Sequence, residues 1–441
     1  MKKTLILLLG LFMTLWLAAC SSDSSSGDSG DTSSGNGSSE VEEDNGSGED
    51  QITIRFAWWG NQTRNNYTNE VIELFEEKNP NINVEAEYAS WDDYWKKLAP
   101  QAAANELPDI IQMDLSYISQ YAQNNQLADL TPYLDNEIDV SNIDQNIING
   151  GKIGDGLYGF NAGVNAVGFH YDPAMLEAIG VDSISEDWTW DDYIEIADQA
   201  AGAGYYFDTG FQPDVFFNYY LRTQGDRLYA EDGSGLGYED DQLFVDFFSM
   251  VADRVEAGST PTPDYLSQLS GVEDDPVVKE EGVGIWQWSN QFLGLQQVAD
   301  RPLEMHPMPG PNVSDGLFLK PSMFLAVSEN SDHKEAAASF IDFFVNDVEA
   351  NKIIKAERGV PVSSEIKEEI ASEVSEAQQQ VFEYIDWAEQ NSSEMGPPDP
   401  SGAGEIIELL NNLSEQMNYG EISPEDAATN FRQQAESILA N

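Results

Sequence analysis

Two short aromatic segments carry residue types that could bind a flat, hydroxylated ligand. They are Trp58-Trp59-Gly60-Asn61 and Trp286-Gln287-Trp288-Ser289-Asn290. A sugar ring has apolar C–H faces and an edge of hydroxyl groups, so aromatic rings suit its faces, whereas amides, carboxylates and arginine suit its edge. Aromatic rings also surround quaternary ammonium groups, so the residue types leave a receptor for compatible solutes or peptides open.

The direction of each tryptophan follows from strand geometry. Adjacent residues of an extended chain face opposite ways, so one of Trp58 and Trp59 is expected in the core, and we expect Trp59 to face the ligand. Trp286 and Trp288 are two positions apart and share one face of a strand. That face is either core or a platform for sugar stacking, and we predict the platform.

Cations are scarce in this chain, which makes their positions informative. Lys and Arg number 20 against 79 Asp and Glu, for a formal net charge of −59. Four of the cations lie inside or beside aromatic, glycine-rich or proline-rich stretches: Arg64, Arg222, Lys320 and Arg358. A surface or ion-pair role is ordinary for any one of them. As a set they predict recognition of carboxylate groups, which arginine binds with two parallel hydrogen bonds.

A tethered glycoside hydrolase or polysaccharide lyase is the alternative from another class of function. Hydrolysis needs two carboxylates at a set separation, and the 79 acids single out no pair. The sequence has no Gly-x-Ser-x-Gly segment, P-loop, dinucleotide fingerprint or cluster of His and Cys, and its histidines are His170, His306 and His333. We therefore predict a binding protein that is not an enzyme and uses no cofactor or metal.

The first fifty residues differ in composition from the rest. Lys2 and Lys3 precede an apolar run, and Leu17-Ala18-Ala19-Cys20 follows it. This pattern predicts an export signal over residues 1–19, and it resembles the lipobox of bacterial lipoproteins, which implies a diacylglyceryl group on Cys20. Residues 21–50 are almost all Ser, Gly, Asp, Glu, Asn and Thr, which predicts a disordered tether.

The charge balance excludes one class of partner and indicates a habitat. Without Lys2 and Lys3 the chain keeps 18 basic against 79 acidic residues, a balance of −61. Nucleic acid is excluded because its phosphates would be repelled. The acids are scattered, which is typical of a halophilic surface, since the Debye length falls to about 3 Å at 1 M salt. After the signal, no apolar run reaches the ~18 residues of a transmembrane helix.

From residue 51 onward the pattern alternates between strands and helices. Period-two alternation predicts strands at Ile52–Phe56 and Ile82–Tyr88, and a buried strand follows at Pro108–Met113. Helix starts are marked by capping residues: Ser90, Asp172, Thr189 and Ser423. Alternation of this kind indicates a parallel sheet covered on both faces, and about 390 residues suggest two domains. The expected site is the cleft between them, beyond the carboxyl ends of the strands.

An ordered set of segments resembles one family over almost the whole chain from Ile52. The segments include ITIRFAWWGNQTRNNYTNEVIELFEEKNPNINVEAEY, WDDYWKKLAPQAAANELPDIIQMDLSYISQYA, GGKIGDGLYGFNAGVNAVGFHYDPAMLEAIGV and KPSMFLAVSENSDHKEAAASFIDFFVND. They resemble family 1 extracellular solute-binding proteins of carbohydrate ABC importers. DYWKKLAP, PDVFFNYYLRTQGDRLY, DDQLFVDFF and ERGVPVS are similar to receptors for rhamnogalacturonan oligosaccharides.

The resemblance implies a periplasmic-binding-protein-like α/β fold of two lobes, joined by crossover strands around a ligand cleft. The first crossover is expected near Phe160–Asn165. The N-terminal lobe is expected at 51–164 plus about 306–346, and the C-terminal lobe at 165–305 plus about 347–441.

The implied function is a monomeric lipoprotein on the outer face of the cytoplasmic membrane, in contact with the membrane only through its lipid anchor. It would capture an acidic, pectin-derived oligosaccharide and deliver it to the transmembrane subunits of an ABC permease; a neutral oligosaccharide is the alternative. The predicted ligand-binding residues are Trp59, Asn61, Arg64, Trp91, Asp114, Asn165, Arg222, Trp286, Trp288, Lys320 and Arg358.

Overall fold

The computed structural model describes residues 51–60, 62–269, 271–400 and 402–440. The predicted signal, Cys20, the tether and Asn61 lie outside the described residues. Within the described ranges, no helix combines the length and the apolar character needed to cross a membrane.

The described residues form ten strands, in two main sheets and one short hairpin. The strands are β1 Ile52–Trp59, β2 Ile82–Ala89, β3 Ile110–Met113, β4 Lys152–Ile153, β5 Gly156–Leu157, β6 Phe160–Asn165, β7 Val167–Tyr171, β8 Gly284–Trp288, β9 Glu304–His306 and β10 Lys320–Val327.

The described α-helices number seventeen. They are α1 Gln62–Lys78, α2 Trp91–Ala104, α3 Leu115–Gln123, α4 Gln145–Asn149, α5 Pro173–Ala178, α6 Trp190–Ala203, α7 Pro213–Thr223, α8 Gln242–Ala257, α9 Pro263–Leu266, α10 Phe292–Val298, α11 Val313–Gly316, α12 Lys334–Asn346, α13 Val348–Ile354, α14 Ser364–Ile370, α15 Glu376–Gln390, α16 Ala403–Asn418 and α17 Pro424–Leu439.

The predicted helix starts are found, with one difference in capping. The side chain of Asp172 accepts from the amides of residues 174 and 175, Thr189 forms a capping box with Asp192, and Ser423 accepts from the amide of residue 426. Ser90 stands at the start of α2, but its side chain caps no backbone amide there and instead donates to the Asp93 carboxylate at 3.1 Å.

The larger sheet has the strand order β2-β1-β3-β10-β6. β1 runs parallel to β2 and β3, as the alternation predicts, whereas β10 is antiparallel to both β3 and β6. Its two faces are covered by separate apolar clusters. On one face Phe56 and Trp58 pack with Phe75 and Phe340, from α1 and α12; on the other face Trp59 packs beneath α2 and α3.

The smaller sheet has the order β8-β7-β9 and is antiparallel throughout. The alternation of strands and helices does not predict this antiparallel arrangement. The chain reaches β8 from β7 through the long helical stretch from α5 to α9, and β9 follows α10 closely. Phe169 and Trp286 of this sheet pack against each other, with ring centroids 4.4 Å apart.

The chain passes directly from the larger sheet to the smaller one at a single residue. β6 ends at Asn165 and β7 begins at Val167, so only the fully buried Ala166 separates them. This places a crossover at the position that the family resemblance implies. Helix α13 packs against α1 and α12, on the side of the larger sheet.

Candidate ligand-binding site

A cavity of about 810 Å³, here called the main cavity, lies between the two sheets. Its walls come from the carboxyl end of β3, the crossover strands, the start of α7, the end of β8 and the segment that leads into α16. The residues that carry the argument are Trp91, Asp114, Asn165, Asp214, Trp288, Asn290, Lys320 and Asp399. This position, beyond the carboxyl ends of strands, is the one that open α/β sheets offer to ligands.

Two aromatic side chains line the main cavity from different elements. Trp288 ends β8, where the core of the smaller sheet gives way to the cavity, and its ring lies 4.8 Å from the Lys320 ammonium. Trp91 is 41% exposed at the start of α2, and its ring contacts Trp59 edge-on at 4.9 Å. The cavity therefore offers two indole rings to the apolar faces of a ligand.

The charged groups of the main cavity are mostly acidic. Asp114, Asp214 and Asp399 line it together with a single lysine, Lys320. Asp114 caps α3, accepting from the amide of Ser116 at 2.9 Å. The buried Oδ1 atom of Asp214 has no hydrogen-bond partner among the described residues, and burial raises the pKa of this carboxyl. The charged side chains of the main cavity are thus three acids and one base.

A second cavity of about 560 Å³, here called the side cavity, adjoins the first. Asn165, Asn290 and Ser322 line both. Two of the predicted cations, Arg64 and Arg358, belong to it. Their surroundings differ from those that recognition of a ligand carboxylate requires.

Arg64 is engaged by an acid of the chain itself. Its Nε and Nη2 atoms donate to the two oxygens of Glu357, at 3.0 and 3.2 Å. Tyr67 donates its hydroxyl hydrogen to the same carboxylate at 2.5 Å. The bidentate fork that a uronate would need is therefore occupied.

Arg358 is 1% exposed, with its guanidinium carbon 4.7 Å from the ring of Phe344 and 5.4 Å from that of Tyr67. Its Nη2 atom donates to Thr68 Oγ1 at 3.1 Å. Burial lowers the pKa of the guanidinium to about 10, so the group remains charged at neutral pH. Its Nε and Nη1 atoms are buried and have no hydrogen-bond partner among the described residues. Arg358 packs its own segment on α1 and α12, where its guanidinium contacts aromatic rings.

Arg222 binds backbone oxygens. It is 4% exposed, and its guanidinium donates to the carbonyls of Gly316, Glu394 and Met395 and to Ser393 Oγ, at 2.7 to 3.0 Å. The predicted role of Arg222 as a reader of ligand carboxylates is inconsistent with these bonds. The side chain holds in place the segment that brings Asp399 into the main cavity.

Two predicted ligand-facing tryptophans lie in the core. Trp59 is 9% exposed, because α2 and α3 cover the second face of the larger sheet as fully as the first. Trp286 is 3% exposed and stacks against Phe211 at 4.9 Å and Trp188 at 5.9 Å. Trp286 and Trp288 do share a strand, but only Trp288 lies at its end, where the cavity begins.

The described members of the predicted set that line the main cavity are Trp91, Asp114, Asn165, Trp288 and Lys320. Sequence reasoning missed Asp214 and Asp399, since neither stands out among 79 acids. The Gly- and Pro-rich stretch 396–404, which brings Asp399 to the cavity, was the available signal for a loop at this place.

The comparisons with known proteins agree with this geometry. The model of the bacterial extracellular solute-binding protein family matches residues 59–350, about two thirds of the chain, so the chain belongs to that family. An uncharacterised lipoprotein of the oleD 5′ region of Streptomyces antibioticus is 24% identical over 319 residues, which are 67% of each chain.

Solved structures show the same fold. A family 1 extracellular solute-binding protein from Alicyclobacillus acidocaldarius has a TM-score of 0.80 at 27% identity, with 89% of this chain and all of that one covered. A periplasmic oligogalacturonide-binding protein from Yersinia enterocolitica has a TM-score of 0.76 at 23% identity, with 88% and 99% covered. The predicted two-lobed, periplasmic-binding-protein-like fold is confirmed.

Proposed function

We propose that this solute-binding protein captures an oligosaccharide in the main cavity and delivers it to an ABC permease, while a lipid on Cys20 holds it at the outer face of the membrane. The observation that carries the proposal is Trp288 at the junction of the two sheets, with Lys320 over its ring and three aspartates lining the same cavity. Such a surface suits a ring with apolar faces and a hydroxyl edge.

The charge of the main cavity favours a neutral oligosaccharide over an acidic one. Three aspartates face the main cavity with one lysine, and the guanidinium groups of Arg64 and Arg222 are engaged by acceptors of the protein. The guanidinium of Arg358 is buried against aromatic rings. Carboxylates accept hydrogen bonds from sugar hydroxyls but repel a uronate at close range. An acidic ligand is the second candidate, and the observation in its favour is the fold shared with the oligogalacturonide-binding protein.

Calorimetry on the purified full chain tests the proposal and separates the two candidates. We expect neutral tri- to pentasaccharides to bind more tightly than oligogalacturonides of equal length. Trp288→Ala should weaken neutral ligands at least tenfold, about 1.4 kcal/mol, because the stacking surface is lost. Trp387→Ala is the matched control, since Trp387 stacks on Tyr384 at 5.8 Å and lines neither cavity.

Two results would count against parts of this proposal. Tighter binding of oligogalacturonides, lost in Lys320→Met, would favour the acidic ligand and place its carboxylate at Lys320. Failure of every oligosaccharide to bind, with the chain folded, would reject the sugar receptor itself.

A further inference from the structure

The side cavity differs from the main cavity in how its polar groups are used. Glu357 is bound by Arg64 and by the Tyr67 hydroxyl. Ser322 donates to the backbone carbonyls of Gly163 and Arg358. The side-chain amide of one more lining residue is also hydrogen-bonded within the protein.

That residue is Gln378, whose side-chain oxygen accepts from the backbone and hydroxyl of Ser375, each at 2.9 Å. Its side-chain nitrogen donates to the carbonyl of Lys355 at 2.9 Å. These polar side chains of the side cavity are thus bound to other groups of the protein. Arg358 keeps two nitrogens without a partner, but both atoms are buried.

The apolar part of the lining comes from five separate parts of the fold. The side chains are Leu293 of α10, Met323 of β10, Ile353 and Ile354 of α13, Val360, and Val381 and Phe382 of α15. Leu293 and Ile353 are only partly buried by the protein itself. An apolar chamber of this kind is a poor site for water, which needs two to four polar partners.

We propose that the side cavity binds an apolar substituent, an alkyl or aryl group, at one end of the oligosaccharide in the main cavity. This inference rests on the proposed function and specifies the ligand further. The two cavities meet at Asn165, Asn290 and Ser322, so one molecule can enter both. An apolar cavity of about 150 Å³ holds benzene, and the side cavity has about 560 Å³.

A further sugar unit fits the side cavity less well than an apolar group does. Each hydroxyl buried against the apolar side chains without a partner would cost about 1–3 kcal/mol, because Glu357, Ser322 and Gln378 already bind groups of the protein. An alkyl or aryl group carries no such cost and gains from contact with the apolar side chains. The ligand class is therefore a glycoside whose sugar part lies in the main cavity and whose apolar part lies in the side cavity.

The test compares free trisaccharides with their 4-nitrophenyl glycosides by calorimetry on the full chain. The probes are maltotriose, cellotriose and xylotriose, each with and without the nitrophenyl group. For the linkage that binds, we expect the glycoside to bind at least tenfold more tightly than the free sugar. In Leu293→Asn this advantage should fall below twofold while the free sugar keeps its affinity, and Leu293→Met should retain the advantage. Ile353→Asn is a second variant, should Leu293→Asn fail to fold.

The outcomes separate this inference from the proposed function. A free trisaccharide that binds as tightly as its nitrophenyl glycoside overturns the apolar side site and leaves the sugar receptor standing. An advantage that persists in both asparagine variants but vanishes in Trp288→Ala also overturns it, because the aryl group would then lie on Trp288. If neither free nor conjugated sugars bind, both proposals are rejected.

Discussion

Replacement of Arg222 by alanine distinguishes a structural guanidinium from one that reads the ligand. The side chain donates four hydrogen bonds, three of them to backbone carbonyls, and its guanidinium carbon lies 4.9 Å from the ring of Phe318. The alanine variant leaves those carbonyls without their donor. A buried acceptor left unpaired costs about 1–3 kcal/mol, so two that stay dry would lower the free energy of unfolding by roughly 2–6 kcal/mol.

The assay combines urea unfolding, followed by tryptophan fluorescence, with calorimetry of ligand binding. We expect Arg222→Ala to lose stability and to bind neutral and acidic oligosaccharides more weakly by the same factor. Both ligands depend on the segment that Arg222 holds, because this segment carries Asp399 to the main cavity. Arg222→Lys keeps the charge but presents its donors from one point, so it should recover only part of the stability.

One combination of results would contradict a structural role for Arg222. If Arg222→Ala unfolds at the same urea concentration as the parent protein but loses affinity for oligogalacturonides alone, the guanidinium reads ligand carboxylates. The hydrogen bonds to the carbonyls would then contribute little to stability.

Three further predictions concern pH, salt and the N-terminus. Burial raises the pKa of Asp275 from 3.8 to about 6, which corresponds to about 3 kcal/mol at 1.36 kcal/mol per unit. The folded state holds a proton on Asp275 that the unfolded state has already lost, so the free energy of unfolding should fall by about this amount as the pH rises from 4 to 7. The Asp275→Asn variant should not show this fall. Parallel pH profiles of the two proteins would contradict the prediction. The net charge of −59 predicts that the thermal midpoint of unfolding rises when NaCl is raised from millimolar to molar concentration. Like charges repel over ~30 Å at 0.01 M salt but only over ~3 Å at 1 M. A midpoint that stays flat or falls with salt would reject this. Cys20→Ala should release the protein from membranes, and unchanged partitioning into detergent would rule out the lipid.

The sequence predicts the larger sheet well because its signals are local. Alternating apolar residues mark β1 and β2, and the capping residues Asp172 and Thr189 fix helix starts through bonds to amides two or three positions away. The order β3-β10-β6 depends on strands far apart in the chain, which no local pattern encodes. The same limit applies to the second sheet, where β7 pairs with a strand more than 100 residues further along the chain.

The candidate site was predicted less well, for reasons that differ from residue to residue. Trp59 alternates with Trp58 as expected, but helices cover both faces of the sheet, so both rings are buried. Trp286 and Trp288 lie in the same local pattern of the sequence. They differ because Trp286 lies within β8 and is buried, whereas Trp288 ends the strand at the main cavity. Arg222 is bound by backbone carbonyls, which have no signature in the sequence because every residue carries one.

The strand order of the larger sheet has a kinetic consequence. β10 lies between β3 and β6, yet it follows β6 by more than 150 residues. Until residues 320–327 emerge, β3 and β6 have no partner between them, and the nascent chain cannot complete this sheet. Contacts between such distant residues must overcome the entropy of closing a long loop, which slows folding. The first half of the polypeptide should therefore become resistant to protease only after the second half has been synthesised.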